Sequence, residues 1–565
     1  MLQKRWALKK VDEELVVALQ EELKIHPVLC RLLIERGIYT YAQSKDFFRT
    51  VKEHLHDPFL MKGMQSAVDR IHNAIENNER ILIYGDYDVD GTTAVAVVFS
   101  FFKSFYSDIE FYIPHRFAEG YGVSQKGIDY AIDHGFKLII TLDCGIKSSA
   151  LIDVANQHHI DVIVCDHHMP DEDLPKALAI LNPKQIDCSY PYKELCGCGI
   201  GYKLISAYAI QHQISQDIVD RHLDLVATAI AADIVPITDE NRTLAVLGLQ
   251  KVNTNPSIPI QALKQISELN KQFTISDLVF IIAPRVNAAG RMDDARKAVE
   301  LFIEDNKDKA KEIANQLHDD NNDRKEVDRT TTLEALDMLT DNESHEQLRS
   351  TVVYQPHWHK GVVGIVASRL IDHHYRPTIV LTNSNGKVTG SARSIKGFNL
   401  FDGLNQCSEL LETYGGHYFA AGLTMMEENL TAFRKRFDEV VRSMVPEDSF
   451  FPEIEIDAEL QFSDINDAFL RILNQFGPHG PENMKPVFIS RNVIDYQGLS
   501  TVVKEKHLRL VVYQNGSRTF NGIGFNMADK IEAVKSRKMF DILYHIEENE
   551  WQGNKSIQLK IIDVR

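Results

Sequence analysis

The sequence lacks a long uninterrupted apolar run. The apolar stretch from Ala94 to Phe102 is far shorter than the roughly 20 residues that a helix needs to cross a bilayer. The first residues, Met1 to Trp6, lack the apolar core of a signal peptide. We therefore expect no membrane-spanning helix and no membrane partner, and we predict a cytoplasmic protein.

Cysteine is scarce and irregularly spaced, with seven in 565 residues. An odd, scattered set does not build the disulfide framework of a secreted domain and is typical of a reducing compartment. Cys188, Cys196 and Cys198 lie close together, but no second Cys or His pair follows at zinc spacing, so we do not favour a zinc site. The full set is Cys30, Cys144, Cys165, Cys188, Cys196, Cys198 and Cys407.

The chain also lacks an excess of basic residues, and its formal net charge is −18. This balance argues against a protein that coats nucleic acid by bulk electrostatic attraction. The charge is uneven, because residues 304–346 hold 14 acidic and 6 basic residues whereas residues 351–425 hold 6 basic and 4 acidic residues. A local anion site in the second segment stays open, and the length predicts three or four domains.

Residues 81–91, Ile-Leu-Ile-Tyr-Gly-Asp-Tyr-Asp-Val-Asp-Gly, combine an apolar run with three carboxylates. The run predicts a buried parallel strand, and the segment from Ala94 to Phe102 predicts a helix after a tight turn. Ligands of open α/β sheets bind beyond the carboxyl ends of the strands. Because Asp86, Asp88 and Asp90 repel one another, a folded chain keeps them together only if divalent cations offset the charge. The stretch therefore predicts a metal site.

Polar residues follow three later apolar segments as well. Leu138–Leu142 precedes Asp143, Val162–Cys165 precedes Asp166-His167-His168, and the helix-like Ala227–Ala232 precedes Asp233. Alternating strand and helix signals between about 51 and 240 predict a parallel sheet whose strand ends lie side by side. Carboxylates with one imidazole suit Mn²⁺ or Mg²⁺ better than zinc or copper. The side chains expected to converge on one pocket are Asp88, Asp90, Asp143, His167 and Asp233.

Each of these features has a simpler explanation. Asp86 to Gly91 also fits the start of an EF-hand loop, but Val97 occupies the twelfth position, where a bidentate Glu is required. A single Asp at a strand end, such as Asp143, is usually a helix N-cap, and the two histidines taken alone fit capping or core packing. Because four such clusters occur in one α/β unit, one metal site explains them better than a separate explanation for each cluster.

The second half of the chain predicts further units. The polar stretch from about 294 to 339 has few helix breakers and predicts a connecting helix whose charges form a solvated face. A second α/β unit starts at Thr351, and in it Ser391, Arg393 and His417, beside glycines, are suited to donate to a phosphate. Beyond about 450 the pattern predicts a small β-barrel such as an OB-fold, a type of domain that often binds single strands by stacking bases on aromatic rings.

The sequence resembles the DHH phosphoesterase superfamily with its DHHA1 partner domain, and within it the RecJ family of single-strand-specific DNA exonucleases. The resemblance extends over essentially the whole chain, including Ala288 to Arg291 and the β-rich end. Its motifs, in chain order, are Gly85 to Gly91, Asp143-Cys144-Gly145, Asp166-His167-His168, Ala232-Asp233 and Gly415 to Gly422.

The resemblance implies an α/β fold of two α/β lobes, joined by a long helix with a cleft between them, plus a C-terminal OB-fold-like β-barrel domain. The implied segments are an N-terminal helical lobe (1–50), a DHH catalytic domain (51–293), the connecting long helix (294–345), a DHHA1 substrate-binding domain (346–445) and an OB-fold-like nucleic-acid-binding domain (446–565).

The same resemblance implies the roles of individual residues. Asp88 and Asp143, completed by Asp86, bind one metal ion. Asp90, Asp143, His167 and Asp233 bind the other, so that Asp143 bridges the two. Tyr84 stands where some members of the superfamily have a metal-binding histidine. His168 contacts or orients the scissile phosphate. The residues implied to bind substrate phosphates, including the 5′ end, are Arg116, Arg291, Arg369, Ser391, Arg393, Gly416 and His417.

The implied activity is that of a single-stranded-DNA-specific 5′-3′ exonuclease, which releases 5′-mononucleotides by two-metal-ion hydrolysis with Mn²⁺ or Mg²⁺ in DNA repair and recombination. A narrow cleft would exclude duplex DNA. The implied partners are single-stranded DNA, a helicase and a single-strand-binding protein. Two alternatives stay open: a DHH-type phosphodiesterase of short oligonucleotides or cyclic dinucleotides, which needs no β-rich domain, and a non-catalytic DNA-binding scaffold, which needs no complete set of acids.

Overall fold

The computed structural model describes residues 4–292, 294–340, 348–536, 538–551 and 554–565. The chain forms two compact units. The larger unit contains residues 6–114, 119–283 and 455–565, and the smaller unit contains the described parts of 1–5, 115–118 and 284–454. In the described residues, no helix is both long enough and apolar enough to cross a membrane.

A group of short helices opens the chain. Each helix start has a side-chain cap: Asp12 accepts from the Glu14 N–H, and Thr40 with Gln43 forms a capping box. The elements are β1 (Arg5–Leu8), α1 (Glu13–Leu23), α2 (Pro27–Ile34) and α3 (Tyr41–Phe48).

The larger unit is built on a five-stranded parallel sheet with strand order β3-β2-β4-β5-β6. Every residue of the two central strands β2 and β4 is buried, as expected of parallel strands covered on both faces. The strands are β2 (Ile81–Gly85), β3 (Ile109–Tyr112), β4 (Leu138–Leu142), β5 (Asp161–Cys165) and β6 (Ala179–Leu181).

The strand register brings the expected polar residues to one edge of the sheet. Gly85 pairs with Leu142, and Leu142 pairs with Cys165, so that the residues which follow these strands are neighbours. The helices of this part of the unit are α4 (Met64–Glu76), α5 (Val89–Lys103), α6 (Gln125–Asp133), α7 (Ser149–Gln157), α8 (Gly197–Gln211), α9 (Gln216–Asp220), α10 (Leu223–Ala232), α11 (Asp239–Thr254), α12 (Ile258–Ile266) and α13 (Ile275–Asp277), which continues into π-helical Leu278–Ile282.

The smaller unit contains a long helix and a five-stranded mixed sheet, with strand order β10-β11-β9-β8-β7. Only the β7–β8 pair is parallel in this sheet. Its elements are α14 (Ala283–Met292, in this unit from Pro284), α15 (Arg296–Phe302), α16 (Lys307–Thr340), β7 (Thr351–Tyr354), α17 (Val363–His374), β8 (Thr378–Ser384), β9 (Lys387–Arg393), α18 (Leu400–Asn405), β10 (Thr413–Gly416), β11 (Ala420–Met425) and α19 (Leu430–Met444).

The long helix begins later than the sequence predicts. Helix α15 is separate, and α16 starts at Lys307 because the Asn306 side chain accepts hydrogen bonds from the backbone N–H groups of Asp308 (3.0 Å) and Lys309 (3.1 Å). The predicted end of this helix, 341–345, lies outside the described residues.

The β-rich end of the chain forms a closed barrel in the larger unit. Strand β14 pairs with β18 at one edge and with β16 at the other, where Ile494 lies opposite Tyr513, so the sheet closes on itself. Its elements are β13 (Ala458–Glu459), α20 (Asp467–Leu473), β14 (Phe488–Asp495), β15 (Thr501–Val503), β16 (His507–Tyr513), β17 (Phe520–Gly524), α21 (Ile531–Lys535), β18 (Phe540–Trp551) and β19 (Asn554–Val564). Strand β12 (Glu453–Ile456), which precedes them in the chain, belongs to a separate two-stranded sheet with β1.

The N-terminal helices and the barrel share one hydrophobic core. Leu19, Leu29 and Leu33 are buried together with Phe488 and Tyr544 of the barrel. The predicted fold class, an α/β protein with two α/β sheets, a long helix in the chain between them and a C-terminal OB-fold-like barrel, is confirmed. The bounds of the five predicted domains remain predictions.

A buried arginine of α11 joins three segments of the larger unit. Arg242 is 5% exposed and donates to the carbonyls of Phe47 (3.1 Å), Phe476 (3.1 Å) and Gly477 (2.8 Å). Its guanidinium also lies 3.9 Å from the ring centroid of Phe47. The guanidinium therefore connects the N-terminal helices and the barrel segment with α11.

Replacing Arg242 with Ala is expected to destabilise the larger unit by about 3 kcal/mol, because several buried carbonyls lose a charged donor. The apparent Tm from scanning calorimetry should fall. Arg221→Ala, at an exposed position of the same unit, is the matched control and should leave the Tm unchanged. An Arg242→Ala protein with the Tm of the wild type would contradict the assignment.

Candidate metal centre and phosphate-binding residues

The turn after β2 presents three carboxylates over a short stretch of backbone. Asp88 caps α5, because its Oδ1 accepts from the Gly91 N–H at 3.0 Å. Gly91 is required for this turn, since a Cβ there would lie 2.5 Å from the Asp86 carbonyl oxygen. Asp86 and Asp90 are buried and Asp88 is half-buried. The turn thus delivers three acids to the carboxyl edge of the sheet.

The six predicted metal ligands lie together at this edge. Ligand atoms of Asp86, Asp88 and Asp143 lie within 4.8 Å of one another, and so do those of Asp90, His167 and Asp233. The two sets are adjacent, because His167 Nε2 lies 3.1 Å from Asp143 Oδ1. Asp143 has the geometry of a residue shared by both sets.

Asp143 occupies an unusual backbone conformation. Its φ is +61°, in the left-handed region that non-glycine residues seldom adopt, and its N–H donates to the Cys165 carbonyl at 2.9 Å. This conformation aims the Asp143 side chain at the acids of the neighbouring strand end. A strained, buried acid in such a place is typical of a functional site.

Burial raises the pKa values of the acids in this cluster. Burial and then the charge of Asp88 raise the pKa of Asp90 to about 7. Burial and then Asp90 raise the pKa values of Asp143 and Asp233 well above their usual range. These carboxylates are therefore costly to keep ionised unless a positive charge lies among them.

His167 supplies a neutral nitrogen ligand. Burial, followed by the neighbouring His168, lowers its pKa to about 3, so the imidazole is uncharged at neutral pH and can coordinate a metal ion. Three ligand-type atoms, Asp143 Oδ1, His167 Nε2 and Asp233 Oδ2, are buried without a hydrogen-bond partner in the described part of the chain. Buried carboxylate and imidazole atoms without partners fit divalent cations.

His168 is oriented differently from His167. Its Nδ1 (2.7 Å) and its backbone N–H (3.0 Å) both bond Asp166, while its Nε2 lies 3.0 Å from the Tyr121 hydroxyl. Burial lowers the pKa of His168, but the hydrogen bond and charge of Asp166 outweigh it and raise the net pKa. The Asp166 pKa is lowered, because hydrogen bonds from His168 and Ile146 outweigh its burial. His168 is thus a partly exposed donor.

Sequence reasoning gave no role to Asp166 or Tyr121. The position of Asp166 beside the two histidines was a signal for its role, whereas Tyr121 lies in a loop after β3 without a motif that assigns it. Tyr84, at the position of a metal-binding histidine in some members of the superfamily, makes a different contact. Its hydroxyl donates to the Gly122 carbonyl at 3.1 Å. The cysteines near the cluster form no metal-binding group in the described residues.

Several predicted phosphate-binding residues of the smaller unit lie around the start of α17. Arg393 Nη1 donates to Ser391 Oγ at 2.9 Å. Gly364, in the first turn of α17, approaches both, because a Cβ there would lie 3.0 Å from Ser391 Oγ and from Arg393 Nη2. Burial and the nearby charge of Arg116 lower the pKa of Arg393. Two guanidinium groups and a hydroxyl therefore lie near a helix N-terminus.

The other predicted residues fall into two groups. Arg291 Nη1 donates to the carbonyl of Gly361, just before α17, at 3.0 Å. Gly416 and His417 are exposed at the β10–β11 turn, where the His417 N–H donates to the Ala420 carbonyl at 2.7 Å and Ala420 pairs with Arg393. His417 therefore belongs near Arg393 by strand register.

Arg369 has a structural partner. Its Nη2 donates to Asp328 Oδ2 at 2.6 Å, and Arg324 Nη1 lies 3.5 Å from the same oxygen. Asp328 and Arg324 are buried on α16. The prediction of a wholly solvated face for the charges of this helix is wrong, because the helix packs against α17 and buries an ion-pair network there.

Comparison with known proteins agrees with this geometry. Residues 80–230 match the DHH family N-terminal domain, 348–443 the DHHA1 domain and 456–563 the RecJ OB domain. The single-stranded-DNA-specific exonuclease RecJ of Bacillus subtilis is 36% identical over 99% of this chain and 70% of its own length. That of Escherichia coli is 34% identical over 96% of both chains. This chain belongs to the RecJ family.

Solved structures of the RecJ family share the fold. The Thermus thermophilus RecJ crystal structure in complex with Mn²⁺ superposes with a TM-score of 0.85 over 99% of this chain and 79% of that chain, at 24% identity. A second crystal structure, of exonuclease RecJ bound to manganese, has a TM-score of 0.60 and 29% identity over 68% of this chain and 96% of that chain. The resemblance inferred from the sequence is confirmed, while the roles of single residues remain predictions.

We expect Mn²⁺ to stabilise the protein more at high pH than at low pH. The folded-state pKa values of Asp90, Asp143 and Asp233 lie above those of an unfolded chain, so their protonated forms favour the folded state. In metal-free protein that contribution is fully present at low pH, and the part that comes from Asp90 is lost as the pH rises through about 7. Metal binding requires the ionised forms and offsets their repulsion.

The measurement is the rise in Tm on adding Mn²⁺ to chelator-treated protein, at about pH 6 and about pH 8. The rise should be larger at the higher pH. Asp143→Asn removes the shared ligand and should show a small rise at both values. An equal rise in the wild type at both pH values would contradict the assignment.

Proposed function

We propose that this chain is a single-stranded-DNA-specific 5′-3′ exonuclease that releases 5′-mononucleotides, acting in DNA repair and recombination. The observation that carries the proposal is the pair of adjacent ligand sets, Asp86-Asp88-Asp143 and Asp90-His167-Asp233, with Asp143 beside both. The complete set of acids argues against a non-catalytic scaffold. The closed β-barrel argues against an enzyme restricted to very short oligonucleotides, since such a substrate does not need it.

The cofactor is Mn²⁺ or Mg²⁺, two ions. When bound, the pair would lower the pKa of a water molecule and polarise the phosphate for in-line attack. The chain holds the ligands: α5 and the sheet edge fix the acids, and burial of His167 keeps its nitrogen unprotonated. No side chain is needed as a nucleophile. His168, oriented by Asp166, would donate from Nε2 to an oxygen of the scissile phosphate.

The smaller unit would bind the 5′ end of the strand. Arg116, Ser391 and Arg393, near the first turn of α17, form a set of donors suited to a terminal phosphate. Arg291, Gly416 and His417 would contact phosphates farther along. Arg369 would contribute mainly through its ion pair with Asp328, which fixes α17 against α16.

The barrel would bind single-stranded DNA farther from the reacting end. Phe520 packs in the core, but Phe525 is 53% exposed with its ring against His507, which makes it a candidate for stacking on a base. A helicase and a single-strand-binding protein are proposed as further partners on the basis of the family resemblance. A cytoplasmic location is proposed because all seven cysteines are unpaired and buried.

The first test is a gel time course with Mn²⁺ and a long single-stranded oligonucleotide labelled at its 3′ end. We expect a descending ladder, because nucleotides leave from the 5′ end. Asp143→Ala should abolish cleavage, since both ions lose a ligand, whereas Asp171→Ala, at an exposed acid, should cleave normally. Rapid cleavage of two- to four-nucleotide substrates without shortening of the long strand would favour the small-oligonucleotide enzyme. Binding without cleavage would favour the scaffold.

A second test addresses the terminal phosphate. Arg393→Ala should raise KM for 5′-phosphorylated single strands about 10- to 100-fold, the effect of losing charge-assisted hydrogen bonds to a phosphate. KM for 5′-hydroxyl strands should change little, and so should Mn²⁺ affinity. Arg436→Ala, at an exposed arginine of the same unit, is the matched control. Equal loss on both substrates would contradict the proposed contact.

A further inference from the structure

The first turn of α8 donates two backbone hydrogen bonds to one of the predicted metal ligands. The Gly197 N–H donates to Asp90 Oδ2 at 2.6 Å and the Cys198 N–H to Asp90 Oδ1 at 2.8 Å. Asp90 lies more than a hundred residues earlier in the chain, on α5, and is 1% exposed. Both of its carboxylate oxygens are therefore oriented by a second element.

The same turn packs against the shared ligand Asp143. A Cβ on Gly197 would lie 2.6 Å from Asp143 Cβ and 2.9 Å from its Oδ1. Such distances do not occur between real side chains, so only glycine allows this approach. One helical turn later, a Cβ on Gly201 would lie 3.1 Å from Val98 Cγ2 of α5. The glycines on this face of α8 let the helix lie close to α5 and to the ends of the strands.

The cap of α8 is also unusual. Its N-cap residue is Cys196, whose Sγ accepts from the Gly199 N–H at 3.3 Å, a weak acceptor compared with the usual Ser, Thr, Asp or Asn. The N–H groups of Gly197 and Cys198, which a helix start leaves unsatisfied, are taken by Asp90 instead. A carboxylate at position 196 would add another negative charge beside Asp90, whereas the thiol adds none.

We infer that the segment Cys196-Gly197-Cys198, here called the α8 turn, is a positioning element of the metal centre. Its N–H groups fix the rotation of the Asp90 carboxylate, and the backbone of Gly197 packs against the side chain of the shared Asp143. The inference rests on the proposed function for the identity of the metal ligands. It also gives a role to the backbone of a segment whose cysteines were considered in the sequence only as zinc ligands.

The α8 turn contacts the two predicted ion sites unequally. Asp90 belongs to the set with His167 and Asp233, and the Gly197 and Cys198 N–H groups both donate to this one ligand. Carboxylates that bind metals are held by such partners, and their loss typically costs about 10- to 100-fold in metal affinity. Loss of a hydrogen bond to Asp90 should therefore weaken one of two Mn²⁺-binding steps.

The test compares Cys198→Pro with Cys198→Ala. Proline removes the N–H that donates to Asp90 Oδ1, while alanine keeps it and deletes the same thiol. Proline is acceptable at this second helical position, since Pro259 occupies the corresponding position in α12 and the preceding Gly197 has no Cβ to clash with the ring. Calorimetric titration of the metal-free proteins with Mn²⁺ measures both binding steps without substrate.

We expect Cys198→Pro to weaken one binding step by about 10- to 100-fold while the other is retained, and Cys198→Ala to match the wild type. Higher Mn²⁺ should restore the cleavage of single-stranded DNA by Cys198→Pro. Gly197→Ala, which crowds Asp143, should weaken both steps and serves as the second variant if Cys198→Pro does not fold.

Two results would overturn the inference. One is wild-type Mn²⁺ binding by a folded Cys198→Pro protein or, where that variant does not fold, by Gly197→Ala. The other is equal weakening in Cys198→Pro and Cys198→Ala, because the cause would then be the thiol and its packing. The proposed function is contradicted separately, when the Mn²⁺ titrations of the wild type and the variants give the expected results but the wild-type protein does not shorten single-stranded DNA.

Discussion

The structure of the larger unit depends on keeping several carboxylates buried beside one another. Asp90 and Asp143 are at most 2% exposed, and the Asp233 side chain is about three-quarters covered. Such a group is unfavourable in a low-dielectric environment unless backbone dipoles or cations offset the charge. The chain supplies dipoles at two helix starts, since Asp88 is the N-cap of α5 and the first N–H groups of α8 donate to Asp90. Divalent cations are needed to offset the rest of the negative charge of these carboxylates.

Much of this arrangement follows from sequence pattern. Asp86, Asp143 and Asp166 each follow an apolar strand, and this pattern predicts a common edge because parallel strands in register bring their carboxyl ends together. The β-rich end and the long helix were also recognisable from composition. These features could be predicted because each depends on a local sequence pattern, which predicts a strand or a helix, and on a general rule for how such elements are arranged.

Other parts depend on contacts without a local signal. The donors to Asp90 are backbone groups, and any non-proline residue could supply them. Only the run of glycines at positions 197, 199 and 201 hinted at a close approach. The burial of Asp328 with Arg369 could not be predicted either, because a charged helix face looks the same in sequence whether it meets solvent or another helix. Arg242 is similar, since its partners are carbonyl groups of two segments that lie far from α11 in the sequence.

The two groups of charged residues should respond differently to their surroundings. The carboxylate cluster is buried, so salt screens it little, and it repels a phosphate until cations are present. The residues near α17 that we propose to bind phosphate are only half-buried, so a terminal phosphate bound by them would be exposed to salt. Capture of the strand end should therefore weaken with ionic strength while metal binding persists. A chain with a net charge of −18 can act on DNA in this way because the proposed contacts to the strand end need only a few positive charges, at Arg116, Arg291 and Arg393, and no excess of basic residues over the whole surface.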